Sequence, residues 1–148
     1  MTQTKDLISH GSDQKTEKKI LIIDDDEHLL LGLTARLKTI GYMVVWARDA
    51  VAAISVARKE APDLVILDLG LPAGDGFLVL DRMRTLSDLV AIPVIVLSAR
   101  DPADNKRRAL EAGAAAYFQK PPDNHEFLIA IRRALGETVA LSTFLKTL

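Results

Sequence analysis

The chain has 148 residues, 49% hydrophobic and 26% charged, with a formal net charge of -1, which suits one globular domain plus tails. It contains no cysteine, so disulfides, thiolate metal sites and Cys nucleophiles are excluded. The near-neutral balance offers no basic footprint for nucleic acid, no apolar run is long enough to span a bilayer, and the N-terminus lacks the apolar core of a signal peptide; the expectation is a soluble, cytoplasmic protein.

Residues 1–18 are polar and mixed in charge. They bury too little to offset ordering entropy, which predicts a flexible N-terminal arm. Residues 20–23, ILII, are a short aliphatic run typical of a buried strand, and they lead straight into Asp24, Asp25 and Asp26. Residues 27–40 carry Leu29, Leu30, Leu33, Leu37 and Ile40 at helical spacing, and Gly41 ends that helix. A β-rich stretch at 42–47 precedes an Ala/Val/Ile helix at 50–59. The pure aliphatic run at 64–67 ends in Asp68. The Gly- and Pro-rich segment 70–76, GLPAGDG, reads as a loop, followed by a helix at 77–86 carrying Phe77, Leu80 and Met83. Residues 93–97 form another aliphatic strand, ending at Ser98. Asp101 and Pro102 suit the N-cap and first turn of a helix reaching Ala112, and Gly113 closes it. A last strand at 116–119 precedes a helix at 123–135, opened by Asp123 and Glu126 in a pattern resembling a capping box.

Five strands thus alternate with five helices. Such an order predicts an α/β fold, a doubly wound five-stranded parallel sheet with helices on both faces. The unbroken hydrophobicity of the first, third and fourth strands fits burial on both sides. In parallel sheets the carboxyl ends of all strands share one edge, and ligands bind there. Asp24, Asp25 and Asp26 follow the first strand, Asp68 the third, Ser98 the fourth and Lys120 the fifth. If the sheet order is 2-1-3-4-5, the first and third strands are neighbours and Asp24, Asp25 and Asp68 converge, with Ser98 and Lys120 alongside. Three carboxylates in one crevice call for a cation, and a hard oxygen set suits Mg2+ or Mn2+. A carboxylate nucleophile, a metal, a lysine and a hydroxyl are what phosphoryl transfer to aspartate requires. Asp26 lies where the first helix begins, which suits an N-cap.

The segments IDDDE, VILDLGLPAGDG, PVIVLSA and GAAAYFQKP, in that order and at these separations, resemble the receiver domain of two-component response regulators across roughly residues 19–135. The resemblance implies the flavodoxin-like (βα)5 fold with sheet order 2-1-3-4-5. It implies Asp68 as phosphoacceptor, Asp24 and Asp25 as the acidic pair, with Asp25 on the metal directly and Asp24 mainly through water. It gives Gly70 a backbone carbonyl on the metal, and Ser98 the hydroxyl that follows the phosphoryl group. Lys120 would pair with a phosphoryl oxygen, aimed by a cis Lys120–Pro121 bond, and Tyr117 stands at the aromatic switch position. A sensor histidine kinase or a phosphotransfer protein is the implied donor. The output surface would be the face of the fourth helix, fifth strand and fifth helix, through which a homodimer is possible, toward an unidentified downstream effector. This domain would not bind nucleic acid or membrane, and would be a signalling module rather than an enzyme. Departures are Ser98 for the commoner Thr and Pro122 where an aromatic often stands. Gly70 and Arg100 occupy two variable positions that tune hydrolysis lifetime in the family.

Other readings stay open at this stage. A single Asp at a strand-to-helix turn is commonly a cap, a lone Ser98 a loop hydrogen-bonder and a lone Lys120 solvated surface; their shared place at strand ends is what raises them. Tyr117 fits partly buried packing as well as a switch. His10, His28 and His125 have no metal spacing, Trp46 reads as a packed or half-exposed aromatic, and Lys106, Arg107 and Arg108 as a solvated helix face. The alternatives in function are a pseudo-receiver that signals without phosphate and an aspartyl-nucleophile phosphohydrolase, which would want an acid where Gly70 stands. The expected boundaries are arm 1–18, receiver domain 19–136, and 137–148 as a tail or the start of a linker. Val139, Leu141, Phe144, Leu145 and Leu148 offer a short apolar face in that tail.

Overall fold

The computed structural model describes residues 17–72 and 75–138. The expected arm up to residue 16, His10 and the apolar tail from Val139 lie outside the described residues. The elements are β1 (Lys19–Ile23), α1 (Glu27–Thr39), β2 (Met43–Ala47), α2 (Ala50–Glu60), β3 (Leu64–Leu67), α3 (Gly76–Thr85), β4 (Val94–Ser98), α4 (Pro102–Glu111), β5 (Ala116–Gln119) and α5 (Asn124–Ala134). All strands are parallel and the sheet order is β2-β1-β3-β4-β5, as the resemblance implies. Every element lies within one or two residues of its expected bounds.

The aliphatic runs explain the layering. The side chains of a strand alternate between faces, so each run feeds two cores. Leu21, Ile23, Val65, Leu67, Val94 and Val96 pack with Ala53 and Ala57 of α2, Leu80 and Met83 of α3 and Ala109 of α4. Ile20, Ile22, Leu64, Ile66, Ile95 and Leu97 pack with Leu30, Leu33 and Leu37 of α1 and Phe127 and Ile131 of α5. Complete burial of one such side chain is worth about 1.5–3 kcal/mol. The central strands β3 and β4 are buried throughout, whereas the edge strands β2 and β5 are only partly covered. Trp46 on β2 is half-exposed, and its Nε1 donates to Thr34 Oγ1 at 2.8 Å.

Each of the five helices starts on an aspartate. Asp26, Asp49, Asp75, Asp101 and Asp123 each accept a backbone N–H of the first turn on a side-chain oxygen, satisfying donors a helix leaves unpaired. Asp26, Asp101 and Asp123 are expected from the pattern; Asp49 and Asp75 are not. Gly41 and Gly113 follow α1 and α4 with φ of 104°, the conformation that terminates a helix most readily at glycine. Ala61 takes the same role after α2 with φ of 47°.

Lys18 and Glu137 fall just outside the expected 19–136 boundaries but still hold the domain. Lys18 Nζ donates to the Leu135 carbonyl at 3.2 Å, and the Tyr42 hydroxyl donates to Glu137 Oε1 at 2.6 Å.

Gly76 sits in the segment the sequence reads only as loop, and its Cα packs behind the Asp68 backbone. A Cβ at Gly76 would run into the Asp68 carbonyl oxygen and lie 2.5 Å from Leu69 Cα. A Cβ at Gly70 would meet nothing nearer than Asp68 Oδ2 at 3.9 Å. Because backbone cannot yield as a side chain end can, Gly76→Ala is predicted to destabilise the domain by about 1–3 kcal/mol, read as a lower urea midpoint. Gly70→Ala should leave that midpoint nearly unchanged, and equal effects from the two would contradict this account.

Candidate functional site

The sheet ladder itself aims the strand-end residues. Asp24 N–H donates to the Ala47 carbonyl at 3.1 Å, Asp68 N–H to Ile23 at 2.9 Å and Lys120 N–H to Ser98 at 2.8 Å. Each residue one step beyond a strand is thus tied to the neighbouring strand, at the carboxyl edge. Asp24, Asp68 and Ser98 are the buried polar residues of the described chain, at 2%, 7% and 0% exposure.

The convergence read from the sequence is present. Single carboxylate oxygens of Asp24, Asp25 and Asp68 lie within 4.8 Å of one another. Lys120 Nζ stands 2.8 Å from Asp24 Oδ2 and 3.6 Å from Asp68 Oδ2. Asp24 Oδ1 accepts the Asp26 backbone N–H at 2.9 Å. The Lys120–Pro121 bond is cis, as the resemblance implies. Asp26 is the cap of α1, its Oδ1 accepting from Leu29 N–H at 3.2 Å. Of the three consecutive aspartates, then, one serves the helix and two face the cleft.

Burial pushes the Asp24 carboxyl above its usual range; hydrogen bonds from Lys120 and the Asp26 backbone oppose this, and the Asp68 charge adds to it. Burial also works against the Lys120 ammonium, but the hydrogen bond to Asp24 and the fields of Asp68, Asp24 and Asp26 outweigh it, and Lys120 lies above its ordinary value. The two partners move the same way for a simple reason. At Asp24 burial outweighs the help of its one cation, whereas at Lys120 the neighbouring anions together outweigh burial.

Ser98 Oγ accepts the Arg100 backbone N–H at 3.1 Å. The Tyr117 ring is buried, and its hydroxyl donates to the Arg100 carbonyl at 2.7 Å. Burial raises the Tyr117 pKa, with Ser98 close enough to oppose the shift. Gly70 is exposed beside Asp68. Arg100, at the second of the two variable positions, turns its guanidinium toward Asp75, Nη1 to Oδ1 3.7 Å. That contact and the Asp75 cap were not visible in the pattern, because Asp75 lies inside a Gly-rich segment that any loop would explain. His28 and His125 are exposed. Lys106, Arg107 and Arg108 are exposed as expected, although the Arg108 guanidinium also covers the Phe77 ring at 3.7 Å.

The family model described as "Response regulator receiver domain" matches residues 20–132. The transcriptional regulatory protein KdpE of Mycobacterium tuberculosis is 41% identical over 121 residues, 82% of this chain and 52% of that protein. The chain spans about half the length of the curated relatives it matches. Among solved structures, the non-phosphorylated HemR receiver domain of Leptospira biflexa has a TM-score of 0.72 at 36% identity, covering 83% of this chain and 98% of that one. The receiver domain of the sensor histidine kinase PA1611 of Pseudomonas aeruginosa, with a magnesium ion in its active site cleft, has a TM-score of 0.74 at 26% identity, covering 82% and 99%.

Two predictions rest on this geometry. Asp24→Asn removes one of two like charges sharing a single ammonium while keeping an acceptor for Lys120. At neutral pH and with chelator present it is expected to raise the urea midpoint, because the folded domain penalises the ionised carboxyl; a lower midpoint would contradict the reading. The second concerns Tyr42 and Tyr117, the two tyrosines of the chain. Burial raises both, and for Tyr42 the Glu137 carboxylate adds to it. A folded value above the unfolded one favours the protonated folded state, so this stability is complete below about pH 10 and declines as pH rises beyond it. Tyrosinate absorbance of the folded domain should therefore appear at higher pH than in the urea-unfolded chain; coincident curves would refute it.

Proposed function

Since the chain belongs to the response regulator receiver family, we propose that it is a phosphoaccepting switch that takes a phosphoryl group from a phosphohistidine of a sensor kinase, or from a phosphotransfer protein, onto Asp68. The observation that carries this reading is the Lys120 ammonium placed between the buried Asp24 and Asp68 carboxylates, 2.8 and 3.6 Å away, with Asp25 beside them. A structural role has little use for two buried carboxylates around one cation.

An Asp68 carboxylate oxygen attacks phosphorus, the bond from phosphorus to the donor nitrogen breaks, and the donor imidazole keeps that electron pair. The work of the site is positioning and charge neutralisation. Lys120 offers its N–H groups to a phosphoryl oxygen, leaving its contact with Asp68. The Ser98 hydroxyl donates to a second oxygen. The oxygen donors of Asp24, Asp25 and Asp68 and the Gly70 carbonyl form a hard set that fits Mg2+, or Mn2+, and would hold it. Such an ion supplies positive charge against the transferred group when bound.

The acyl phosphate carries about 1.5–2 negative charges in place of the carboxylate's one. Ser98 Oγ and the Tyr117 hydroxyl both hold Arg100 backbone atoms, so drawing Ser98 toward the phosphoryl group disturbs Tyr117 as well. The domain is read as a two-state element whose α4–β5–α5 face changes with phosphorylation, a face suited to a homodimer or an effector.

Incubation with acetyl phosphate and Mg2+ should add one phosphoryl group to the intact mass. Asp68→Asn or a chelator should abolish the adduct. Persistent labelling of Asp68→Asn would overturn the assignment. No adduct and no conformational response to beryllofluoride would favour a pseudo-receiver that signals without phosphate.

A further inference from the structure

Arg100 is gripped at three points. Its backbone N–H goes to Ser98 Oγ at 3.1 Å and its carbonyl accepts from the Tyr117 hydroxyl at 2.7 Å. Its guanidinium faces Asp75 at 3.7 Å. Asp75 belongs to a different loop. It caps α3, with Oδ1 accepting the Phe77 N–H at 2.9 Å. The ion pair therefore joins the loop that follows Ser98, the last residue of β4, to the loop after β3, which begins at Asp68.

We propose that Asp75 is a positioning residue for the phosphoryl site: it holds the Arg100 guanidinium aside until a phosphoryl group on Asp68 competes for it. The inference rests on the assignment of Asp68 as phosphoacceptor. Both partners of the pair are partly exposed, at 39% and 46%, so the hold is weak. A phosphoryl group carries more charge than one carboxylate and matches the planar guanidinium fork on two oxygens. The exchange is therefore downhill once Asp68 is phosphorylated. Because the same residue bonds Ser98 and Tyr117 through its backbone, moving its side chain also loads those two contacts.

The exchange bears on hydrolysis. In that step a water oxygen attacks phosphorus, the bond between phosphorus and the Asp68 oxygen breaks, and the carboxylate and inorganic phosphate are released. A guanidinium on the phosphoryl oxygens obstructs the water. Asp75, by drawing Arg100 back, shortens the life of the acyl phosphate.

The test uses the chain labelled with acetyl phosphate and Mg2+, freed of donor and followed by intact mass. Asp75→Asn keeps a capping side chain, since Asn caps about as well as Asp. Circular dichroism and the urea midpoint establish that it folds. Asp75→Asn should lengthen the phosphoryl lifetime about two- to five-fold, the range an exposed ion pair is worth. In an Arg100→Ala background the same substitution should change nothing, and in about 1 M salt the difference should shrink. Equal lifetimes, or the same lengthening without Arg100, would overturn the proposal. Failure of the unsubstituted chain to label at all would overturn the Asp68 assignment beneath it, and so is distinguishable.

Discussion

The structure turns on a charge imbalance that the fold enforces. Two carboxylates, Asp24 and Asp68, are almost wholly buried at the ends of adjacent strands, and one ammonium, Lys120, stands between them. Taking ions out of water costs free energy, and a single partner does not offset it for both. The elevated Asp24 and Lys120 pKa values are two signs of that deficit. Such a site is poorly suited to holding a fold together. It is well suited to answering the arrival of charge, because Asp24 and Asp68 are already desolvated and Lys120 is aimed between them.

The aim comes from the sheet. The strands buried on both faces are β1, β3 and β4, and ladder hydrogen bonds extend one residue past β1 and β3 to Asp24 and Asp68. The helices then sort the acidic residues at this edge. Five aspartates are consumed as N-caps, one for each helix. Asp24, Asp25 and Asp68 cap nothing, and these are the three whose oxygens converge. Capping and cleft chemistry thus draw on the same residue type a few ångströms apart; burial sets Asp24 and Asp68 apart, while Asp25 is exposed like most of the caps. The caps Asp26, Asp101 and Asp123 are exposed, whereas Asp24 and Asp68 are not.

That sorting also explains what could be read from the chain. Aliphatic runs ending in Asp, Ser or Lys are a strong signal, because a buried strand stops where a charge begins. The strands, the two-sided core and the convergence of Asp24, Asp25, Asp68, Ser98 and Lys120 follow from it. Less was legible where the physics is not periodic. Gly76 and Asp75 share a loop-like segment of sequence, and the close approach of Gly76 to the Asp68 backbone shows only in three dimensions. Arg100 could be placed near the site by its position in the chain, but its direction is chosen by Asp75, 25 positions earlier. Similarly, Lys18 and Glu137 look like tail residues by composition, yet side-chain hydrogen bonds to Leu135 and from Tyr42 help fasten them to the domain. Such pairwise polar contacts carry no period along the sequence.

The uneven anchoring of the helices would give the charge proposed to arrive at Asp68 somewhere to act. Helix α3 buries five residues and α1 buries three, whereas α4 buries Ala109 alone. Polar and peripheral contacts add to this: the Asp101 cap and the Arg108 guanidinium over Phe77 at the start of α3. An element with few buried apolar contacts opens at the low end of the local stability scale. Helix α4 begins two residues after Arg100, the residue whose backbone joins Ser98 to Tyr117. On the proposed reading, a shift at Ser98 would pass first into the part of the fold that costs least to move, while the buried strands that position Asp24 and Asp68 would stay fixed. A rigid site coupled to a loosely seated helix is the physical form that a local phosphoryl charge needs to become a surface change.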